Sequence, residues 1–353
     1  MKMRTVVSVA PHTIEIREVE RPKPGKNQVL VEVKSCNICT WEQRVFAGEY
    51  PYMYPFNGGH EAAGVICELG EDVIPEAWPV GTKVAVRTLD SCGACYYCRH
   101  NAPNLCTHKL KKSPSNTPYE GIKNLGGFSE FICVDIAAVY PLPQDMDFHK
   151  AIFAEPLACV LNSVNQTNIE MGSDVVVIGG GIMGMLHLMC AKLKGARVIL
   201  SEMDDTRRAL ALELGADAVI NPREVDAVQA VKDLTEGRGA DTVFNTTAIP
   251  AVAKQAVDMT GYMGTVVMYS SQHPAKDIEI SPSWLHSSQA KITGTVSPSI
   301  VSFEQSVNML KKNLIDTTKL FYGSFPIEKA TEAFETAMRP DTYRCAIDFD
   351  ASK

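Results

Sequence analysis

The chain reads as an α/β protein in two parts, a mainly β domain and a doubly wound parallel-sheet domain. Three observations carry this reading. At 353 residues the chain exceeds a typical single hydrophobic core, so two domains are expected. Up to about residue 150 it consists of short β-rich runs between turns, and beyond that strand-like runs alternate with helical ones. A composition of 45% hydrophobic and 21% charged residues is that of an ordered globular chain.

In the first part VLVEVK (29–34), AGVICEL (63–69) and KVAV (83–86) are β-rich and separated by Gly, Pro and Asn. From residue 151 onward VVVIGGG leads into MGMLHLMCAKLKG, RVILSE into DDTRRALALELG, AVIN into VDAVQAVKDLTEG, and TVFN into PAVAKQAVDM, before a last strand, GTVVMY. Parallel neighbours need a crossover, and the crossover helices then cover both faces of the sheet, so this alternation is one βαβ domain. After ITGTV (292–296) come the helical stretch SFEQSVNMLKKN, a Pro-containing loop, a second helix and the strand-like CAIDF, which belongs back on the first domain. The expected boundaries are 1–150, 151–297 and 298–353. The sequence shows no internal repeat and no low-complexity segment.

A net charge of −7 and no basic run argue against nucleic acid as a partner. The N-terminal residues lack an apolar stretch of signal length, and apolar runs elsewhere are broken by Gly, Lys or Glu before they reach spanning length. A cytoplasmic protein without membrane contact is expected. Eleven cysteines, an odd number with several at two-residue spacing, favour metal over disulfides.

Gly179, Gly181 and Gly184, with Ile182 and Met183 between the last two, form G-x-G-x-x-G directly after the apolar run Val175 to Ile178 and at the opening of a helix. Glu202 follows at the end of the next strand, about 20 residues on, as a dinucleotide fingerprint requires. The glycines let a pyrophosphate approach the helix N-terminus, where unpaired N–H groups favour an anion. Glu202 would accept from ribose hydroxyls and repel a 2′-phosphate, which favours NAD over NADP. Arg207 and Arg208 lie close enough to accommodate such a phosphate, although on the following helix they also suit a solvated face.

Cys92, Cys95, Cys98 and Cys106 stand as C-x2-C-x2-C-x7-C. Four thiolates close a tetrahedron around Zn²⁺ with no open position, so this set reads as a structural zinc site. A four-thiolate iron–sulfur cluster uses similar spacings but often has a Pro after its last ligand, absent here. His100 and His108 stand nearby and read as loop surface.

Cys39, His60, Glu61 and Glu155 are each uninformative alone. Taken with the other motifs, the chain resembles the zinc-dependent medium-chain dehydrogenases, the group of alcohol, sorbitol and threonine dehydrogenases, over essentially its whole length. The matching stretches are Cys-Asn-Ile-Cys (36–39), Gly-His-Glu-x-x-Gly (59–64), Val-Gly-x-Lys-Val (80–84), the four-cysteine lobe, Gly-Gly-Phe-x-Glu-Phe (126–131), Glu-Pro-Leu (155–157) and the glycine fingerprint. The resemblance implies a GroES-like catalytic domain, completed by the C-terminal return, with a Rossmann domain inserted and the active site in the cleft. It implies a catalytic zinc on Cys39 and His60, completed by Glu155 or Glu61, so two zinc ions per chain, and a homodimer or homotetramer. The Glu-Pro-Leu form is similar to the polyol dehydrogenase branch.

In relatives the catalytic Cys is commonly followed two places on by Ser or Thr, three on by Asp and five on by His. This chain has Trp41, Glu42 and Arg44 there, so both ends of the family's proton relay are gone. Glu42 suits the role of acceptor for the ring N–H of a zinc-bound His60. Trp41 is read as an apolar wall or stacking surface and Arg44 as an anion clamp, against the plainer reading of core filler and solvated cation. Thr40 is a candidate for moving the proton. Cys36 reads as a small apolar residue at the strand end.

These readings lead to an NAD-dependent zinc enzyme that interconverts a secondary alcohol, a polyol, sugar alcohol or anionic derivative, and its ketone. The alternatives are an epimerase or lyase that returns the hydride within one turnover, and a non-enzymatic dinucleotide-binding protein of the same fold.

Overall fold

The computed structural model describes residues 1–88, 91–108, 121–272 and 275–350. It divides into two compact units, Met1–Ala158 with Ser299–Lys353, and Cys159–Pro298.

The strand Gln28–Asn37 organises the first unit. It pairs antiparallel with Glu61–Leu69, Phe131–Asp135 and Arg344–Asp348 in a seven-stranded sheet. Val29, Leu30, Val31, Val33 and Cys36 on this strand are all essentially buried, as suits a central strand rich in β-branched residues. A four-stranded sheet is built around Lys2–Ala10 and Thr13–Glu20. The helix Ala330–Ala337 buries Ala330, Ala333, Phe334 and Ala337, one face at helical spacing. Phe334 meets the rings of Phe46 at 5.1 Å and Phe128 at 5.6 Å, closing the core.

Two of the elements that the sequence reading does not name are instructive. Phe321–Pro326 is a strand, parallel to Arg344–Asp348, where a loop is expected. It carries a Gly and ends in Pro at the edge of its sheet, where one-sided burial imposes no alternation. The helix Pro282–Ser288 is short and serine-rich, and is held by its cap, the Ser281 side chain accepting from the Trp284 N–H.

The second unit is a parallel sheet ordered Ala218–Ile220, Arg197–Ser201, Asp174–Ile178, Ala240–Asn245, Thr260–Met268, Lys291–Gly294. The chain direction across the sheet reverses between Asp174–Ile178 and Ala240–Asn245, and ligands of such sheets sit beyond the carboxyl ends of strands at that point. No helix among the described residues is long and apolar enough to cross a membrane.

The helix Ile182–Leu193 is buried on nearly all sides and carries His187 inside the unit. The His187 Nδ1–H donates to the Met183 carbonyl at 2.7 Å, which leaves Nε2 to accept from the Ser163 hydroxyl at 2.9 Å. Phe244 and Tyr269 close over the ring at 4.6 and 4.7 Å. Burial pushes its pKa down to about 4. The unfolded chain therefore binds a proton that the folded one refuses, from about pH 6.5 down to about pH 4, and stability falls as pH falls through that window. At about 1.4 kcal/mol per pH unit, the loss by pH 5 is about 2 kcal/mol. Urea unfolding of His187→Gln should show a pH 7 to pH 5 drop smaller than the parent's by that amount; equal drops would mean that the imidazole is protonated in place.

Candidate metal centres and dinucleotide site

Cys39 lies two residues beyond the central strand and caps the helix Thr40–Phe46, its own backbone still extended. Glu42 lies in the first turn of that helix and is buried. Its Oε1 accepts from the Gly59 N–H at 3.0 Å and from the His60 Nδ1–H at 2.6 Å. Gly59 is where the loop demands glycine: its φ is +89°, and a Cβ there would stand 2.4 Å from the Phe128 nitrogen. With Nδ1 committed to Glu42, the Nε2 lone pair of His60 is left for an ion.

The donor atoms of Cys39, Glu42 and His60 lie within 4.8 Å of one another, and so do those of His60, Glu61 and Glu155. Glu155, in the first turn of the helix Ala154–Val164, is buried beside them. A thiol, an imidazole and a carboxylate are a donor set that suits zinc. Glu42 Oε2 is buried with no hydrogen-bond partner among the described residues, an acceptor surplus that a cation here would offset. Through protein groups alone, burial pushes the Cys39 thiol up, against His60 and Arg344. Burial lowers the pKa of His60, yet Glu42 and Cys39 outweigh it and carry the imidazole well above its usual range.

Glu61 is the carboxylate that the sequence could not separate from Glu155, and the structure gives it a partner. Arg344 donates from Nε to Oε2 at 3.0 Å and from Nη2 to Oε1 at 2.7 Å, with both side chains at 1% exposure or less. The same Nη2 lies 3.7 Å from Cys39 Sγ. Sheet register explains the meeting: Ala346 pairs with Asn37 and the Ile38 N–H donates to the Cys345 carbonyl, so Arg344 falls opposite Cys39. Burial opposes the Arg344 charge, but Glu61, Cys39 and Glu155 hold it firmly positive. Sequence reasoning missed this residue, and the only available signal was a lone Arg opening an apolar strand.

Of the residues that depart from the family pattern, Trp41 stands beside the centre, its ring 6.4 Å from that of His60. Thr40 is exposed at the helix start. Arg44, expected as an anion clamp, rests its fork on the half-exposed Glu49 through Nε at 2.7 Å and Nη2 at 2.6 Å.

The second set of thiols is compact. Sγ–Sγ distances are 4.0 Å for Cys92–Cys98, 3.5 Å for Cys95–Cys98 and 3.9 Å for Cys95–Cys106. A tetrahedron with Zn–S of about 2.3 Å has edges of about 3.8 Å, so the spacing fits. The Cys92, Cys95 and His108 backbone N–H groups donate to these sulfurs at 3.3 to 3.4 Å. The N–H of Cys98 helps lower the Cys95 thiol to about 5, while desolvation and the neighbouring sulfurs push Cys98 up to about 12. Thiolates this close cannot all ionise without a cation to share, which is what a divalent metal supplies. His100 and His108 are both exposed, His100 stacked on Tyr96.

In the second unit the glycine loop follows Asp174–Ile178, and Gly181 caps the helix Ile182–Leu193 that carries Ile182 and Met183 in its first turn. Gly184 permits the close approach of helix and loop, since a Cβ there would stand 1.8 Å from the Gly179 carbonyl oxygen. Glu202 is fixed by three backbone donors, Gly180 N at 2.6 Å, Met203 N at 2.7 Å and Asp204 N at 2.9 Å. Arg208 donates to the Glu202 carbonyl and pairs with Asp205, whereas the Cβ of Arg207 lies over Gly180. Thr246, which the sequence did not flag, donates its hydroxyl to the Ile178 carbonyl at 2.8 Å across the reversal point of the sheet. Its signal was its place just after the strand TVFN.

Residues 25–144 match the family described as alcohol dehydrogenase GroES-like domain, and residues 183–312 match zinc-binding dehydrogenase. The sorbitol dehydrogenase of Halalkalibacterium halodurans is 30% identical over 327 residues, 90% of this chain and 91% of that one. The 2-dehydro-3-deoxy-L-galactonate 5-dehydrogenase of Pseudoalteromonas atlantica is 28% identical over 313 residues, 88% of each chain. Among solved structures, a protein of Sinorhizobium meliloti 1021 provisionally named as a zinc-binding dehydrogenase, bound to NADP, superposes with a TM-score of 0.88 at 28% identity, over 99% of this chain and 100% of the other.

Proposed function

This chain belongs to the zinc-dependent medium-chain dehydrogenase family, on its polyol side, and on that premise we propose that it moves hydride between the CHOH carbon of a polyol and NAD. It is a zinc-containing alcohol dehydrogenase with a nicotinamide dinucleotide as cofactor. Two donor groups that share His60, one with Cys39 and Glu42 and one with Glu61 and Glu155, with Glu61 held by Arg344, are the observation that carries the proposal. In this reading Cys39, His60 and Glu155 hold the catalytic ion, and the four clustered thiols hold the structural one. When bound, zinc polarises an alcohol oxygen and the nicotinamide accepts the hydride. Glu42 keeps His60 in one tautomer, Arg344 keeps Glu61 off the metal, and Thr40, exposed next to Cys39, is our candidate for passing the released proton to water. Net NADH formation on adding sorbitol, read at 340 nm, tests the whole. Hydride returned within the turnover would give product without NADH and select the epimerase reading instead.

The preference for NAD rests on Glu202. Three N–H donors fix its carboxylate at the end of the strand Arg197–Ser201, where a 2′-phosphate would meet like charge. Glu202→Ser should shift the NAD to NADP ratio of kcat/KM toward NADP by about tenfold or more, a difference of about 1.4 kcal/mol. A parent enzyme that works better with NADP would overturn the assignment. Assembly as a homodimer or homotetramer through the dinucleotide-binding unit belongs to the same reading, and is supported by exposed Tyr262 and Met263 in that unit.

A further inference from the structure

Asn37 joins two of the segments assigned to the metal. It is the last residue of the strand Gln28–Asn37, two before Cys39, and its side chain is fully buried. Its Nδ2–H donates at 3.3 Å to the carbonyl of Ile152, which stands three residues before Glu155.

The sequence explains why that carbonyl is open to a side chain. The helices Phe148–Ala151 and Ala154–Val164 follow each other closely, and Ile152 between them keeps helical backbone angles, φ −66° and ψ −10°. In an unbroken helix the Ile152 carbonyl would accept from the N–H four residues on. Residue 156 is Pro, which has no N–H and whose ring displaces the carbonyl four residues back. The next carbonyl, that of Phe153, does receive its helical bond, from the Leu157 N–H at 3.0 Å. Asn37 thus supplies the donor that Pro156 lacks.

This bond does not serve stability in itself. Asn37 Oδ1 is buried with no hydrogen-bond partner among the described residues, and an unmet buried acceptor costs at least as much as one neutral hydrogen bond contributes. What the asparagine adds is geometry, a tie between the segment that carries Cys39 and the segment that carries Glu155. The Glu155 segment is also fastened to the C-terminal return. There the Ser306 hydroxyl donates to the Ala154 carbonyl at 2.6 Å, and His149 Nε2 meets Asp348 at 3.0 Å. A ligand fixed in this way before the ion arrives loses little freedom when it binds.

We propose that Asn37 is a positioning residue, which sets Glu155 against Cys39 and so raises the affinity of the centre for its ion. The role rests on the reading of Glu155 as a ligand. The measurement is the dissociation constant of the ion that Cys39→Ala lacks, read by chelator competition on the zinc-loaded protein. Asn37→Ala should raise that constant by about tenfold or more, the effect of removing a group that orients a ligand, while the ion of the four-cysteine lobe is held as tightly as before. Pro156→Ala gives the Ile152 carbonyl a backbone N–H, so Asn37→Ala combined with Pro156→Ala should recover most of the affinity. Two unrelated losses of packing would add instead. An Asn37→Ala protein that holds this ion as tightly as the parent, or a double variant no tighter than Asn37→Ala, overturns the role. Glu155→Ala separates it from the reading beneath it. If that variant loses the ion while Asn37→Ala keeps it, only the positioning role falls; if Glu155→Ala keeps the ion, the ligand assignment falls and this role with it.

Discussion

Cys39→Ala is expected to lower kcat/KM for a polyol by about three orders of magnitude and to leave about one zinc per chain in place of about two. Cys39 is the one thiol in its donor group, and a small methyl side chain in its place leaves His60 and Glu155 as the remaining ligands in our assignment. Two ligands do not hold zinc against buffer, so the loss is of the ion itself. Lewis-acid polarisation contributes several kcal/mol to the barrier, and each 1.36 kcal/mol is a factor of ten, which sets the scale of about a thousandfold. The four-cysteine lobe shares no residue with this centre and should keep its ion. Cys95→Ser gives the complementary result, the other zinc lost and the lobe loosened, since a closed four-thiolate site orders its loop through the metal. A Cys39→Ala protein with undiminished zinc and activity would remove Cys39 from the ligand set and with it the proposed mechanism.

The parts of this molecule that were legible in the sequence are those governed by local pattern. The alternation of strand and helix from Asp174 to Met268 follows from period and crossover length, and each run lies on its element. The glycine loop was legible because Gly184 fits only where helix and loop nearly touch. The four-cysteine lobe was legible because its ligands span so few residues that spacing alone brings them together. Glu42 could be paired with His60 only through the family pattern, since the two are 18 residues apart with no periodic link.

Arg344 is a case of the opposite kind. It lies 283 residues from Glu61, and nothing near it in the chain points to a carboxylate. What joins them is the antiparallel register of the last strand against the central one, a long-range pairing that local sequence does not encode. Arg44 differs, since Glu49 stands only five residues on, and what the sequence does not show is that the intervening turn folds the two charges together.

Arg344→Met should therefore destabilise the protein and alter the metal centre together. Removing one partner leaves Glu61 as an uncompensated buried charge, which costs about 3–5 kcal/mol; Arg344 and Glu61 are 1% and 0% exposed at their side chains, so solvent screening does not reduce it. For a unit of this size the melting temperature should fall by roughly 6–20 °C. Adding Glu61→Leu to Arg344→Met removes the stranded charge and should recover most of that loss, the non-additivity that marks a directly coupled pair. The metal supplies the second readout. With Arg344 present, Glu155→Ala should lose the catalytic ion, because Glu61 is held by two hydrogen bonds at 3.0 and 2.7 Å. With Arg344→Met added, Glu61 is released beside His60 and can take the vacated ligand position, so the double variant, with cobalt in this centre and zinc kept in the four-thiolate lobe, should regain tetrahedral visible absorption that Glu155→Ala lacks. Absorption at this centre that survives in Glu155→Ala alone would mean that Glu61 reaches the metal despite the arginine, and the ligand assignment would pass from Glu155 to Glu61.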